Sequence, residues 1–272
     1  MFKILDTSYI APSVKWFRVE APDIAVKARA GQFVIVRAGE KDERIPLTIA
    51  DFDGKQSIDI VVQEVGESSR RINELEKGDA FLDVAGPLGH PSEIEEFGTV
   101  VCIGGGIGIA PVFPIARALR DAGNRIISIL GARSADLLFW EDRFESLSEK
   151  LIITTDDGSR GRKGVVTEPL SEMIDRGENI DRVLAIGPPI MMKFVSATTE
   201  PHNIKTIVSL NSIMLDGTGM CGGCRVEVGG ESRFTCVDGP EFDAHKVDFD
   251  LLMDRQSVYH QEEHQCKLSG SV

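Results

Sequence analysis

The chain has 272 residues, of which 42% are hydrophobic and 27% are charged, an ordinary composition for a globular protein long enough for roughly two domains. Its 43 acidic residues outnumber its 30 basic residues, and the net charge of −13 argues against non-specific binding of nucleic acids. The first residues show no signal peptide, and no run approaches the roughly 20 apolar residues of a membrane helix, so we expect a soluble, cytoplasmic protein.

Residues 1–96 contain a series of short predicted strands. The segments VKWFRVEA, GQFVIVRAG, SIDIVVQEV and AFLDVAG are rich in Val, Ile and Phe and are separated by Gly, Pro and Asp. One helix is predicted at SSRRINEL, with Ser68 as its N-cap. Short strands at this spacing favour a small antiparallel barrel.

Two motifs in these first 96 residues suit a phosphate ligand. The segment ERIPLTIAD places the cation of Arg44 near the hydroxyl of Thr48. The segment EVGESSRR places Gly66, Ser68 and Ser69 at a helix start, where backbone N–H groups favour a pyrophosphate. Taken alone, each motif is equally typical of a turn or a helix cap.

From residue 97 to residue 211, predicted strands alternate with predicted helices. The strands are TVVCIGG, RIISILGA, KLIITTDD, RVLAIG and KTIVSLN, and the helices include IAPVFPIARALRDAG, VTEPLSEMID and PIMMKFVSATT. Such alternation predicts a doubly wound parallel sheet with helices on both faces.

Three loops of this second segment follow predicted strands. IGGGIGIAP carries Gly104, Gly106 and Gly108, which would let the backbone approach a phosphate group, although such a loop is often only a tight corner. GARSADLL places Arg133 and Ser134 at the edge that faces the adenosine ribose in doubly wound folds, where they could contact a 2′-phosphate or an unphosphorylated ribose. AIGPPIMM forms a further Gly-Pro corner at the same edge.

Residues 212–272 contain four of the five cysteines, and Cys221, Cys224 and Cys236 lie within sixteen positions of one another. A disulfide, a zinc site, a redox dithiol and an iron–sulfur cluster are the candidate roles. An odd number of cysteines without a signal peptide does not suggest a disulfide framework. Cys102 lies in an apolar strand, where a free thiol is most often a small core hydrophobe, and Cys266 lies in a polar tail.

The order of these motifs, from the barrel through GGGIGIAP and GARS to IGPP, resembles the ferredoxin–NADP reductase superfamily over nearly the whole chain. This resemblance implies that FAD binds against the barrel, that a nicotinamide nucleotide binds the α/β domain, and that hydride passes between them. The cysteine segment resembles the electron-transfer subunit of dihydroorotate dehydrogenase, which carries a [2Fe–2S] cluster. ERIPLTIAD, DGTGMCGGCRV and the tail VDFDLLMDRQSVYHQEE resemble in particular the small subunits of electron-bifurcating NADH-dependent ferredoxin–NADP oxidoreductases.

The resemblance therefore implies three domains: an FAD-binding β-barrel at 1–96, an NAD(P)-binding α/β domain at 97–211, and a [2Fe–2S] module with the C-terminal tail at 212–272. It assigns no catalytic residue. The residues that it implies for FAD and nucleotide binding are Arg44, Pro46, Leu47, Thr48, Val62, Gly66, Ser68, Ser69, Gly104, Gly105, Gly106, Ile107, Gly108, Arg133, Ser134, Asp156, Gly187 and Pro188.

For the cysteine segment, the resemblance favours a cluster held by Cys221, Cys224 and Cys236 with Asp216 as the fourth ligand. A zinc ribbon would usually show a second C-x-x-C or a histidine pair, and neither is present. A redox dithiol would usually follow the first strand of a βαβ unit. The pyrimidine-pathway subunit has cysteine where this chain has Asp216, so Cys266 or a partner residue remains an alternative fourth ligand.

The function that this resemblance implies is an NADH-oxidising subunit with FAD and a [2Fe–2S] cluster. It would exchange single electrons with a larger flavoprotein subunit that carries [4Fe–4S] clusters and binds NADP(H), and ferredoxin would be reduced there. We expect NADH to be preferred over NADPH, and we expect no nucleic-acid or membrane partner. The alternatives are the electron-transfer subunit of an NAD-dependent dihydroorotate dehydrogenase and a non-catalytic flavin/iron–sulfur redox sensor.

Overall fold

The computed structural model describes residues 1–259, which form two seven-stranded sheets and one separate hairpin. The strands are β1 (Phe2–Ala11), β2 (Val14–Glu20), β3 (Phe33–Arg37), β4 (Ile45–Phe52), β5 (Ser57–Gln63), β6 (Ala80–Phe81), β7 (Asp83–Leu88), β8 (Thr99–Gly105), β9 (Arg125–Ala132), β10 (Lys150–Thr155), β11 (Arg162–Lys163), β12 (Arg182–Ile186), β13 (Thr206–Ser209), β14 (Arg225–Val228), β15 (Glu231–Phe234) and β16 (Glu241–Asp243). The helices are α1 (Pro22–Ala25), α2 (Glu67–Asn73), α3 (Ile109–Asp121), α4 (Glu141–Leu147), α5 (Thr167–Asp175), α6 (Pro189–Thr199) and α7 (Phe249–Gln256).

The first sheet is a nearly closed antiparallel barrel, as the sequence predicts, with the strand order β6-β1-β2-β5-β4-β3-β7. Its interior is filled by buried aliphatic and aromatic side chains, among them Phe17, Ile49, Ile60 and Phe81. The sequence did not predict β1, because most of its side chains are exposed or half-buried and show no apolar alternation.

The second sheet has the order β11-β10-β9-β8-β12-β13-β16 and is parallel except for β16, which pairs antiparallel with β13. Alternate residues of β8 face opposite cores. Cys102 packs with α3 and α4 on one face, and Val101 packs with α5, α6 and α7 on the other. The predicted doubly wound sheet is therefore confirmed, and β16 adds an edge strand from the cysteine-containing part of the chain.

The hairpin of β14 and β15 turns at Gly229 and Gly230, both of which have positive φ angles, as a type I′ hairpin turn requires. The cysteine segment before and after it packs on the barrel. Met214, Cys224 and Cys236 form a small buried cluster with Phe33 and Ile35 of β3. Among residues 1–259, no helix has the length and apolarity needed to cross a membrane.

Candidate functional site

A cleft of about 2330 Å³ opens between the barrel and the second sheet and extends to the cysteine segment. Pockets for single small molecules have volumes of roughly 300–1,000 Å³, so this cleft has room for two dinucleotides. Of the eighteen residues that the family resemblance implies for FAD and nucleotide binding, all but Gly104 and Ser134 line the cleft.

The barrel side of the cleft is formed by β4, β5 and the start of α2. Arg44, Pro46, Leu47 and Thr48 line it from the start of β4, and Val62 lines it from β5. Arg44 also forms an exposed ion pair with Asp83, with 3.1 Å between Nη2 and Oδ2. These residues place an apolar strand surface beside one guanidinium group, a combination that fits a flat ring and a nearby phosphate.

The prediction of Ser68 as an N-cap was wrong, because the N-cap of α2 is Gly66, two residues earlier. The hydroxyl of Ser69 accepts hydrogen bonds from the backbone N–H groups of Val65 and Gly66, at 2.9 and 3.0 Å. Ser68 instead donates to the carboxylate of Glu43 at 2.6 Å. Ser69 thus organises the helix start, while Ser68 lies on the cleft surface.

The nucleotide loops meet where the strand order of the second sheet reverses. The chain leaves the central strand β8 toward β9 and later returns to its other side at β12, and ligands of open α/β sheets bind at such a switch point. Gly108 and Gly187 lie in direct contact there. A Cβ on Gly108 would come within 2.1 Å of the Ile186 carbonyl oxygen, so only glycine allows this approach.

Gly106, which is half-buried in the loop between β8 and α3, has open space beside its Cα. Its φ angle is +56°, and an added Cβ would meet no heavy atom within 4 Å. The backbone of the β8–α3 loop is therefore open to the cleft, as close approach of a pyrophosphate requires. Gly104 lies beneath it, where a Cβ would meet the Cα of Ile109 at 2.9 Å, so this glycine serves packing and does not line the cleft.

Arg133 and Asp156 line the cleft at the ends of β9 and β10, and Ser134 does not. The two loops are joined by backbone hydrogen bonds from Asp156 N to Ala132 O at 3.1 Å and from Asp157 N to Arg133 O at 3.2 Å. A cation and a carboxylate are thus presented together at the edge that contacts the adenosine ribose in related folds.

The cysteine loop, residues 210–224 and 235–240 on the two sides of the β14–β15 hairpin, presents two buried thiols and one exposed thiol. The Sγ atoms of Cys224 and Cys236 are 3.2 Å apart, and the Sγ of Cys221 accepts a hydrogen bond from Gly223 N at 3.4 Å. Burial, followed by the hydrogen bond with Cys224, raises the pKa of Cys236 to about 12. A bound metal would remove that proton, since thiols that coordinate metals are deprotonated.

Asp216 holds this loop in shape. Its Oδ1 accepts a hydrogen bond from Thr218 N and its Oδ2 accepts one from Cys221 N, both at 2.8 Å. These bonds, that from Thr218 first, lower the pKa of Asp216. Its role as the fourth ligand stays a prediction, and the alternative ligand Cys266 lies outside the described residues.

The residues of this loop fit an iron–sulfur cluster by their chemistry. Cys221 and Cys224 lie in a glycine-rich turn and Cys236 follows the β14–β15 hairpin, and cysteine thiolates are the donors that such clusters use. Gly217 has a φ angle of +72°, and a Cβ there would come within 2.9 Å of both Ile35 and Leu88, so the loop rests directly on the barrel. Within residues 1–259, however, no three His, Cys, Asp or Glu side chains are arranged to hold a metal ion together.

Sequence reasoning missed the part of the cleft wall that lies between the second sheet and the cysteine loop. Arg255 of α7 is one such residue, and its Nη2 donates to the carbonyl oxygen of Gly223 at 3.2 Å. The spacing of the apolar residues Phe249 and Leu252, which are buried, could have indicated this helix. The other missed residues include Ile213, Met214, Leu215 and Arg225.

Comparisons with known proteins match the nucleotide-binding part of the chain and its cysteine segment to two separate families of domains. A model of the oxidoreductase NAD-binding domain matches residues 102–197, and a model of the iron-sulfur cluster binding domain of dihydroorotate dehydrogenase B matches residues 211–248. An electron transfer subunit homolog of dihydroorotate dehydrogenase B (NAD(+)) from Thermotoga maritima is 48% identical over 93% of this chain and 90% of its own length. A probable electron transfer subunit from Methanocaldococcus jannaschii is 37% identical over 88% of this chain and 87% of its own.

Solved structures also resemble the chain. A structure of the NADH-dependent reduced ferredoxin-NADP oxidoreductase, described in connection with flavin-based electron bifurcation, has a TM-score of 0.94 and 44% identity. That match covers 100% of this chain and 98% of the other. Phthalate dioxygenase reductase shares the fold at 18% identity, with a TM-score of 0.61 over 94% of this chain and 79% of its own.

Proposed function

The chain belongs to the family of dihydroorotate dehydrogenase B electron-transfer subunits and their homologs, and on that premise we propose that it takes hydride from NADH and delivers single electrons to a larger flavoprotein partner. It is an oxidoreductase subunit whose cofactors are FAD, NAD(H) and a [2Fe–2S] cluster. The 44% identity to the NADH-dependent reduced ferredoxin-NADP oxidoreductase structure favours a partner of the electron-bifurcating type.

The observation that carries this proposal is that one residue lines the cleft and also packs against the cysteine loop. Phe33 of β3 lines the cleft and also belongs to the buried cluster that contains Cys224 and Cys236. One layer of side chains therefore separates the cleft from two of the three thiols. Such proximity suits electron transfer from a flavin in the cleft to a cluster in the loop.

Each part of the chain then has a defined task. Bound FAD would accept the electron pair of a hydride and release the electrons singly, and the cluster would receive them one at a time. The loops at Gly106 and Gly187 would bind the dinucleotide pyrophosphate, and β4 would support the flavin ring. The buried residues around Phe33 would exclude water between the two redox groups.

The direct test of hydride acceptance is anaerobic mixing of the holoprotein with NADH while the flavin absorbance is followed. We expect rapid bleaching, because the switch-point loops present NADH to the barrel side of the cleft. A redox sensor of the non-catalytic kind would bind flavin but leave it oxidised in NADH, although dithionite would still bleach it. That outcome would exclude the proposed activity.

The side chain that we propose to favour NADH over NADPH is that of Asp156. A carboxylate at the ribose edge hydrogen-bonds a 2′-hydroxyl and repels a 2′-phosphate. Asp156→Asn should therefore raise the rate with NADPH relative to NADH, while leaving FAD and iron contents unchanged. Asp157→Asn is the matched control, because the Asp157 carboxylate bonds to Ser159 and does not line the cleft. An unchanged nucleotide ratio in Asp156→Asn would contradict this role.

The partner that we propose is a larger flavoprotein subunit with [4Fe–4S] clusters, through which ferredoxin would exchange electrons. Leu215 and Met220, which are 64% and 88% exposed, lie in the loop of the exposed Cys221 and offer an apolar contact next to the cluster. Met220→Lys should weaken co-purification of the partner from the native host. Val26→Lys, at an exposed apolar residue beside the barrel helix α1, should not.

A second candidate function is electron transfer from dihydroorotate to NAD⁺, which the names of the relatives and the cysteine-segment family model support. The two candidates differ in the partner chain. Adding dihydroorotate to the purified native complex would reduce its flavins in the second case only. Reduction of NADP⁺ at the expense of NADH and reduced ferredoxin would support the first.

A further inference from the structure

Asp51, near the end of the barrel strand β4, forms ion pairs with two helices of the second sheet. Its Oδ1 lies 2.6 Å from Nη2 of Arg117 on α3, and its Oδ2 lies 3.9 Å from Nη1 of Arg143 on α4. The Asp51 side chain is only 18% exposed. These pairs cross the interface between the two sheets, unlike the exposed pair of Arg120 and Asp121 on α3.

Aromatic rings hold both arginines in place. The guanidinium of Arg117 lies 5.4 Å from the ring centre of Phe113, and that of Arg143 lies 4.3 Å from the ring centre of Trp140. Cation–π contacts of this kind restrict a long side chain and stabilise its charge. The two arginines are thus presented to Asp51 in fixed positions.

The barrel strand bends at the residue before Asp51. The pairing register between β4 and β5 shifts between Ile49 and Asp51, which leaves Ala50 as a bulged residue. Ala50 is buried in the core that contains Ala110 and Phe113 of α3. Bulges re-aim neighbouring side chains, and this one turns the end of β4 toward α3.

The two elements that Asp51 joins are those that carry the two halves of the cleft. Pro46, Leu47 and Thr48 line the cleft from β4, three or more residues before Asp51. Arg117 lies on the helix that begins directly after the Gly106–Gly108 loop. Hydride transfer requires reacting atoms about 3–3.5 Å apart, and an error of about 1 Å can cost about 100-fold in rate.

We propose, resting on the function proposed above, that Asp51 is a positioning residue for hydride transfer: its ion pairs with Arg117 and Arg143 fix the strand that supports the flavin against the helix that presents the nucleotide. Asp51 does not line the cleft, so it would contact neither ligand. Its effect should appear in the limiting rate of flavin reduction and not in the affinity for NADH, because the loops that bind the pyrophosphate keep their own geometry.

The test uses the full-length holoprotein in anaerobic stopped flow over a range of NADH concentrations. Asp51→Asn preserves the size of the side chain and an oxygen that can accept the hydrogen bond from Phe52 N. We expect its limiting rate of flavin bleaching to fall about tenfold, with the NADH dissociation constant, FAD content and iron content unchanged. The long-wavelength charge-transfer absorbance of the NADH–flavin complex should weaken as well, since it reports how the two rings overlap.

Two comparisons separate positioning from general stability. Arg120→Gln removes a charge from the same helix without touching Asp51, and it should bleach at the wild-type rate. Arg117→Gln should slow bleaching as Asp51→Asn does, and the double variant should be no slower than the slower single variant, because both remove the same contact.

Bleaching of Asp51→Asn at the wild-type rate, or a slower rate explained entirely by loss of FAD, would overturn the inference. Additive effects in the double variant would overturn it too. Failure of the proposed function would look different from failure of this inference, because NADH would then not bleach the flavin of the wild-type protein.

Discussion

The sulfur atoms of Cys224 and Cys236 lie 3.2 Å apart in a pocket closed by residues of the barrel. The two cysteines come from opposite sides of the β14–β15 hairpin, so the hairpin brings together thiols that are twelve residues apart. Phe33 and Ile35 of β3 cover them from the barrel side. The cysteine loop is therefore anchored to the barrel, and its sulfur atoms are positioned by the hairpin and by the barrel together.

This pair should be essential for iron binding. Cys236→Ser replaces a soft thiolate donor with a hydroxyl that ligates iron poorly, so we expect loss of iron with retention of FAD. Iron and flavin contents per chain provide the measurement. Cys102→Ala is the matched control: burial raises the pKa of Cys102 to about 12, and this cysteine lies in the core of the second sheet. Equal iron loss in both variants would show a general effect on folding.

Asp216 should determine the properties of the cluster as its fourth ligand. Carboxylate donates less electron density than thiolate, and weaker donors raise cluster potentials, as histidine does in Rieske centres. Asp216→Cys should therefore keep the cluster, shift its EPR and visible spectra, and lower its potential. Asp216→Ala should make it labile.

Asp216→Asn separates ligation from the support of the loop, because the amide oxygen can still accept the N–H of Cys221. If Asp216→Asn and Asp216→Ala left the spectrum and the potential unchanged while Cys266→Ser lost iron, the tail cysteine would be the ligand.

Gly106→Ala should weaken NADH binding about tenfold without loss of FAD or iron, because the added methyl group would occupy space that the pyrophosphate needs. The φ angle of +56° also adds left-handed strain of about 1–2 kcal/mol. Gly177→Ala carries a similar strain at φ +70°, likewise with no neighbour within 4 Å, but does not line the cleft. NADH affinities measured by flavin bleaching should differ between these variants. Equal affinities would place the nucleotide elsewhere.

Glu241 should make stability fall as the pH rises. Burial raises its pKa to about 7, against 4.5 for a free side chain, although the hydrogen bond from Ser92 and the charge of Arg182 oppose this shift. The folded protein therefore holds this proton between about pH 4.5 and 7. The stability that the proton contributes is complete below pH 4.5 and is lost as the pH rises through 7.

Glu241→Gln keeps the acceptor for Ser92 and removes the charge. It should raise the free energy of unfolding by about 2 kcal/mol at pH 8 and by much less at pH 5. Urea unfolding at both pH values provides the measurement, with the exposed Glu149→Gln as the control. A gain that is equal at the two pH values would contradict the assignment.

The parts of this molecule that depend on local sequence could be predicted. The loops at Gly106 and Gly187 each follow an apolar strand, so their place at one sheet edge follows from parallel topology alone. The N-cap of α2 could not be predicted in this way, because it depends on the hydrogen bond that the Ser69 hydroxyl accepts from Gly66 N. The pairing of Asp51 with Arg117 depends on how two sheets pack, which no short segment specifies.

The most direct test of the whole account is an anaerobic NADH titration of the wild-type protein and of Cys221→Ala, followed by visible absorption and EPR. We expect NADH to bleach the flavin of both proteins, because neither the cleft nor Phe33 is altered. Only the wild type should then show the EPR signal of a reduced [2Fe–2S] cluster and reduce a one-electron acceptor quickly. A wild-type flavin that NADH does not bleach, or rapid one-electron transfer that survives without the cluster, would contradict the account.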